Sequence, residues 1–137
     1  MSDDTTIDEI RERKLEQLRE NAQGGTQQQN RTEPVHIGSG AELDSLVADE
    51  DVVLADFYAD WCGPCKMLEP IVQSIAETTP ATVAKVDVDA NQQLAAQYGV
   101  RGVPTMVLFA GGETAERLVG VQDESRLRQL IDRYAPA

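Results

Sequence analysis

Val52 to Ala59 is an almost wholly apolar run, broken only by the carboxylate of Asp56, and it leads directly into Trp61-Cys62-Gly63-Pro64-Cys65. A strand of that composition has no polar face to turn to water, so it belongs in the middle of a sheet covered on both sides. Beyond it, Leu68, Ile71, Val72 and Ile75 share one side of a helix expected over about Trp61 to Thr78, with a kink where Pro70 interrupts it. A buried strand that turns into a helix at a pair of cysteines is the frame around which the rest of the chain must be arranged.

The flanking segments supply the other layers. Val35 to Ile37 is a short strand. Ser39-Gly40-Ala41-Glu42 is a capping box that opens a helix with Leu43, Leu46 and Val47 inward. Thr82 to Val88 is a strand rich in β-branched residues. Asp89 is placed to cap a helix running to Tyr98, which Gly99 ends. Thr105 to Phe109 and Glu113 to Val119 flank Ala110-Gly111-Gly112, a hairpin signature. Asp123 or a neighbour opens the last helix, whose Leu127, Leu130, Ile131 and Tyr134 repeat with helical spacing. The order β-α-β-α-β-α-β-β-α predicts an α/β fold: a mixed five-stranded sheet, parallel at first and closed by an antiparallel hairpin, with helices on both faces.

Residues 1–33 have another texture. Thr6-Ile7-Asp8-Glu9 reads as a capping box for a short, highly charged helix to about Glu20, and Asn21 to Glu33, with Gly24-Gly25 and Gln27-Gln28-Gln29, reads as a flexible linker. The domain proper is expected over 34–137. The helix is either a docking element or a solubilising tail, and such short helices are marginal alone. The longest uninterrupted apolar run, Met106 to Ala110, is five residues, whereas a membrane helix needs about 20. Met1 to Asp8 is acidic and polar, unlike a secretory leader, so a cytoplasmic protein is expected.

Net charge is −12, from 12 Lys and Arg against 24 Asp and Glu in 137 residues. Such a surface repels phosphate backbones and argues against nucleic-acid binding. Only three of the cations are lysines, Lys14, Lys66 and Lys85. Excess acid with scarce lysine suits concentrated salt, where at 1 M the screening length falls to about 3 Å and carboxylate repulsion is damped.

Cys62 and Cys65 are the only cysteines. As a staple their bond would be weak, about 2 kcal/mol by loop-closure entropy against about 3 for a fifteen-residue loop. Zinc needs four ligands, and the remaining soft ligand, His36, lies far off on the first strand. Dithiol chemistry is the better match to a CxxC at a strand–helix junction. Cys62 is expected in the first helical turn, where unpaired N–H groups and the helix dipole favour an anion and so a reactive thiolate. Cys65 lies nearly one turn later on the same face, and Pro64 fits an early position where no N–H is needed. Asp56 shares a covered strand face with Val52 and Leu54. Desolvation should raise its pKa and suit it to proton transfer with Cys65, directly or through a water, unless it is a satisfied structural group.

Asp56-Phe57-Tyr58-Ala59-Asp60-Trp61-Cys62-Gly63-Pro64-Cys65-Lys66-Met67 resembles the active-site segment of the thioredoxin family. Pro70, Lys85, Asp87, Tyr98 to Thr105 (YGVRGVPT) and Gly120 match the family in order. The resemblance spans roughly Pro34 to Ala137 and leaves out residues 1–33. It implies the thioredoxin fold and a protein-disulfide reductase. Cys62 would attack a substrate disulfide. Cys65 would then displace the substrate and leave a Cys62–Cys65 redox disulfide. Asp56, partnered by Lys85, would serve the second step. The family further implies a cis bond at Val103-Pro104 opposite the cysteines and a substrate groove rimmed by Trp61, Gly63, Pro64, Val103, Pro104, Gly120 and Val121. Its members need no bound cofactor or metal. The partners expected are protein disulfides and a separate thioredoxin reductase, with a monomeric protein and no membrane contact. A disulfide oxidase or isomerase on the same fold is the alternative, although Gly-Pro between the cysteines resembles the reducing members. An adaptor docking through the N-terminal helix would need neither cysteine. Tyr58, where many relatives carry Trp, the lysine-free hairpin turn and the N-terminal extension are the departures.

Overall fold

The structure is a computed structural model and describes residues 32–136. The expected N-terminal helix and nearly all of the linker lie outside the described residues. The elements are β1 (Val35–His36), α1 (Gly40–Asp49), β2 (Val52–Tyr58), α2 (Gly63–Thr78), β3 (Thr82–Asp87), α3 (Gln92–Gln97), β4 (Thr105–Ala110), β5 (Glu113–Val119) and α4 (Glu124–Tyr134). They form one five-stranded sheet in the order β1-β3-β2-β4-β5. β1, β3 and β2 are parallel, and β4 and β5 run antiparallel to their neighbours. This is the mixed sheet the sequence predicts, with β2 at its centre.

β2 divides the core. Val53, Ala55 and Phe57 face α1 and α3, packing with Leu43, Leu46, Leu94, Val86 and Phe109. Val52 and Leu54 face α2 and α4, packing with Leu68, Val72, Ile75, Met106, Leu127 and Ile131. Every β2 residue from Val52 to Phe57 is buried, Asp56 included.

Local signals explain most element ends. Ser39 caps α1, its Oγ accepting the Glu42 N–H at 3.2 Å. The Glu42 carboxylate reaches back to accept the Gly38 N–H at 2.7 Å, so the capping box closes one residue earlier than its usual form. Gly111 and Gly112, both at positive φ (60° and 86°), make the two-residue turn between β4 and β5, as a twisted hairpin requires. Gly99, at φ 67°, lets the chain leave α3 with the Val100 N–H bonded to the Ala95 carbonyl at 2.8 Å.

Two helix starts differ from expectation. α2 begins at Gly63 rather than about Trp61, and Cys62 is its N-cap, in extended conformation. α3 is capped at Asn91, and Asp89 does not cap it. Asp89 is engaged elsewhere: its Oδ2 accepts the Trp61 indole N–H at 3.0 Å. A contact across 28 residues has outcompeted a local cap. α2 continues through Pro70 without a break.

Candidate active site

The cysteines sit where β2 hands over to α2. Cys62, as N-cap, holds its Sγ against the Cys65 N–H at 3.2 Å. Ser, Thr, Asp and Asn usually take this position because their side chains accept one of the four unpaired N–H groups of the first turn. Here sulfur is the acceptor. Electron density on that sulfur is therefore stabilised by a hydrogen bond and by the positive end of α2, a stronger basis for a thiolate than the first-turn position read from sequence. Pro64 occupies the opening turn. Cys62 and Cys65 are joined as a disulfide, with Cα atoms 5.3 Å apart, so this is the oxidised state of the pair. Both are nearly buried and pack in a small cluster with Ala59, Tyr58, Val88 and Val103.

Val103 reaches the pair from the loop before β4, and the Val103–Pro104 bond is cis. Val103 is half-buried and Pro104 is buried, so of these two it is Val103 that faces the surface beside the sulfurs. The Gly120 N–H donates to the Pro104 carbonyl at 2.8 Å, which ties the segment after β5 to the cis-proline loop. Gly120 itself has φ 87° with open space where a Cβ would stand. Gly120→Ala therefore costs backbone strain alone, about 1–2 kcal/mol. A lower urea midpoint at unchanged slope is the expected result.

The large apolar side chains left exposed among the described residues are Trp61 (72%), Val119 (69%), Met67 (66%) and Val121 (43%). All four lie within two residues of a cysteine or of Gly120, so the apolar surface gathers around the site. Of these, Trp61 and Val121 are expected at the site from the resemblance, and Met67 and Val119 are not. The available signal was their position off the inward stripe of α2 and at the end of an edge strand. Trp61 also lines a groove of about 130 Å³ with Val88, Val100, Arg101, Gly102 and Val103. An added Cβ on Gly63 would meet nothing within 4 Å, so its glycine answers no packing need.

Asp56, on the strand that leads into the cysteines, is 1% exposed, and neither carboxylate oxygen has a hydrogen-bond partner among the described residues. Its pKa is raised from 3.8 to about 6: burial raises it, Lys85 partly offsets this, and Glu69 adds to the rise. Lys85 stands directly beside Asp56 in the β2–β3 register. Lys85 makes no hydrogen bond to Asp56 and acts on it through its charge. The Lys85 ammonium instead contacts Glu69 Oε1 at 3.8 Å and lies 4.5 Å from the centre of the Tyr58 ring. Register fixes where Lys85 starts, but its long flexible stem lets the ammonium choose the wetter carboxylate over the desolvated one. Among the described residues, no group of three or more His, Cys, Asp or Glu side chains is arranged to hold a metal.

A CxxC disulfide at a helix N-terminus, with a cis-proline loop beside it and a desolvated carboxylate on the strand that leads into it, defines a thiol–disulfide oxidoreductase. The Thioredoxin family model matches residues 34–133, and the chain belongs to the thioredoxin family. Its relatives include a thioredoxin from Chlamydia caviae, 40% identical over 102 residues that cover 74% of this chain and 99% of that protein. Among solved structures, a mutant thioredoxin from Halobacterium salinarum is 60% identical at a TM-score of 0.76, covering 78% of this chain and 95% of that one. The Fasciola hepatica thioredoxin is 36% identical at a TM-score of 0.68, covering 74% and 99%. The protein is a protein-disulfide reductase: it acts on protein disulfides and is itself returned to the dithiol by a reductase.

Proposed function

We propose that Cys62 is the attacking sulfur and Cys65 the resolving one. The Cys62 thiolate attacks one sulfur of a client disulfide, forming a mixed disulfide and releasing the other client sulfur as a thiolate that takes up a proton. Asp56 accepts the Cys65 proton. The Cys65 thiolate then attacks Cys62 Sγ, forming the Cys62–Cys65 bond and expelling the second client thiolate. Two electrons pass to the client, and the protein is left oxidised. The observation that carries this reading is the N-cap position of Cys62, which gives its sulfur, and not that of Cys65, the hydrogen bond and the helix field. Trp61, Gly63, Pro64, Val103, Pro104, Gly120 and Val121 form the client groove, with the Val103 backbone pairing an extended client segment in the manner of an added strand. Pre-reduced protein mixed with a disulfide-bonded model protein should release two client thiols per molecule. Release of none rejects the scheme.

Domain 34–137 carries this activity without residues 1–33, which is supported by a family match that begins at Pro34. The protein works as a monomer in the cytoplasm, and a thioredoxin reductase recycles it. No helix among the described residues is long and apolar enough to cross a membrane.

We also read the chain as adapted to concentrated salt. The net charge of −12 and the 60% identity to the Halobacterium salinarum protein support this. Self-repulsion among the carboxylates destabilises the compact state at low ionic strength and is screened at molar salt. The melting temperature should rise steadily from low to molar KCl, and a flat or falling series would reject the adaptation.

A further inference from the structure

Around Asp56 the charged and titratable groups are few. β3 contributes Lys85, α2 contributes Glu69, and β2 contributes Tyr58. β1 places His36 in register with Lys85. On the same side of the sheet β4 and α4 contribute the apolar Met106, Leu108, Leu127, Leu130 and Ile131, together with the part-buried Tyr134, whose hydroxyl donates to Glu116 Oε1 at 3.3 Å. Lys85 is thus the sole cation of β3 beside the buried carboxylate, and its side chain is only 11% exposed, yet its ion pair is with Glu69. Glu69 is more than half exposed, and with Lys85 and His36 it borders an open groove of about 450 Å³. A carboxylate at such a surface keeps part of its hydration while it attracts the ammonium, which the desolvated Asp56 cannot do.

We propose that Glu69 is a positioning residue for the resolving step: by holding the Lys85 ammonium at 3.8 Å it keeps that cation from pairing with Asp56, so the buried carboxyl stays unpaired and competent to exchange a proton with Cys65. This rests on the proton-transfer role given to Asp56 above. Were Lys85 to turn inward, a close opposite charge would hold Asp56 ionised and make it a weaker base. Tyr58 limits the movement by offering its ring face to the same ammonium.

The test follows the Asp56 carboxyl by carbon-13 NMR in the full-length oxidised protein, where no thiol titrates. Glu69→Gln is accommodated at the mouth of an open groove and keeps the side-chain shape. It should lower the Asp56 midpoint by roughly one pH unit, because it removes a negative charge and releases Lys85 inward. In a Lys85→Met background the same substitution should move the midpoint by less than half as much, since only the direct repulsion is then lost. Equal shifts in the two backgrounds, or none in either, would overturn the proposal. The pH profile of mixed-disulfide resolution, measured on the same variants after reduction, tests the Asp56 role separately. Its acid limb should follow the carboxyl midpoint. A carboxyl that moves while the rate profile stays fixed removes the proton-transfer role of Asp56 and leaves the hold of Glu69 on Lys85 intact.

Discussion

Cys62→Ser abolishes client reduction, and Cys65→Ser stops the cycle halfway with the client still attached. The two substitutions are chemically identical and three residues apart, so their difference isolates position. Serine is a good N-cap, and in Cys62→Ser its hydroxyl can accept the Cys65 N–H that Cys62 Sγ accepts at 3.2 Å. The helix start is kept, but a hydroxyl is no nucleophile toward disulfides at neutral pH, so no mixed disulfide forms. In Cys65→Ser the outer thiolate still attacks, nothing displaces the client, and a one-to-one adduct accumulates that added dithiol releases. Loss of the short-loop disulfide lowers the stability of either oxidised protein by only about 2 kcal/mol, so both variants stay folded. Mass spectrometry after mixing with an oxidised client decides the matter. Adduct on Cys62→Ser, or none on Cys65→Ser, would reverse the assignment of the two sulfurs.

Asp56→Asn should make the protein more stable and slower. The carboxyl pKa is raised from 3.8 to about 6, chiefly by burial. Between those values the folded state binds the proton more tightly than the unfolded state. Stability therefore falls as pH rises through that window, and above it the buried charge costs about 3 kcal/mol, given about 1.4 kcal/mol for each pH unit. Asparagine fills the same space without a charge. The variant should gain up to that amount at pH 8, while the two proteins should converge below pH 3.8, where Asp56 is protonated in both states. Denaturant melts of the oxidised forms at both pH values read this directly, and a variant no more stable at pH 8 would contradict the burial argument. In the reduced protein, losing the base should slow resolution of the mixed disulfide by up to about 10²-fold, the lower end of what a positioned base contributes. Formation of the mixed disulfide should be spared. Gain of stability with loss of rate would mark Asp56 as a group kept for its chemistry against its cost to the fold.

Much of this was legible in the chain itself. The apolar run from Val52 to Ala59 suits a central strand, and β2 takes up Val52–Tyr58 of it; periodicity places Leu43, Leu68, Val72, Leu127 and Ile131 inside, where the structure has them. Gly99, Gly111 and Gly112 end elements where positive φ is needed. These are local requirements of backbone conformation and of side-chain period, and a linear sequence records them fully. Cys62, Cys65 and Pro64 are legible for the same reason, because the site is one turn of helix long.

Contacts between distant segments are not recorded that way. Local sequence makes Asp89 a helix cap, and the fold gives its carboxylate to the Trp61 indole instead. The resemblance pairs Lys85 with Asp56; the fold sets the two side by side and lets the Lys85 charge act on Asp56, but gives the ammonium a contact with Glu69. The approach of Val103 to the cysteines is expected only by analogy, and the Gly120–Pro104 hydrogen bond is not foreseen at all. Thus the sequence by itself determined the elements, their order, the buried faces and the reactive pair. The tertiary structure alone decided which partner each polar side chain takes, because that choice turns on distance and on how much water each candidate loses, and both exist only once the layers are packed.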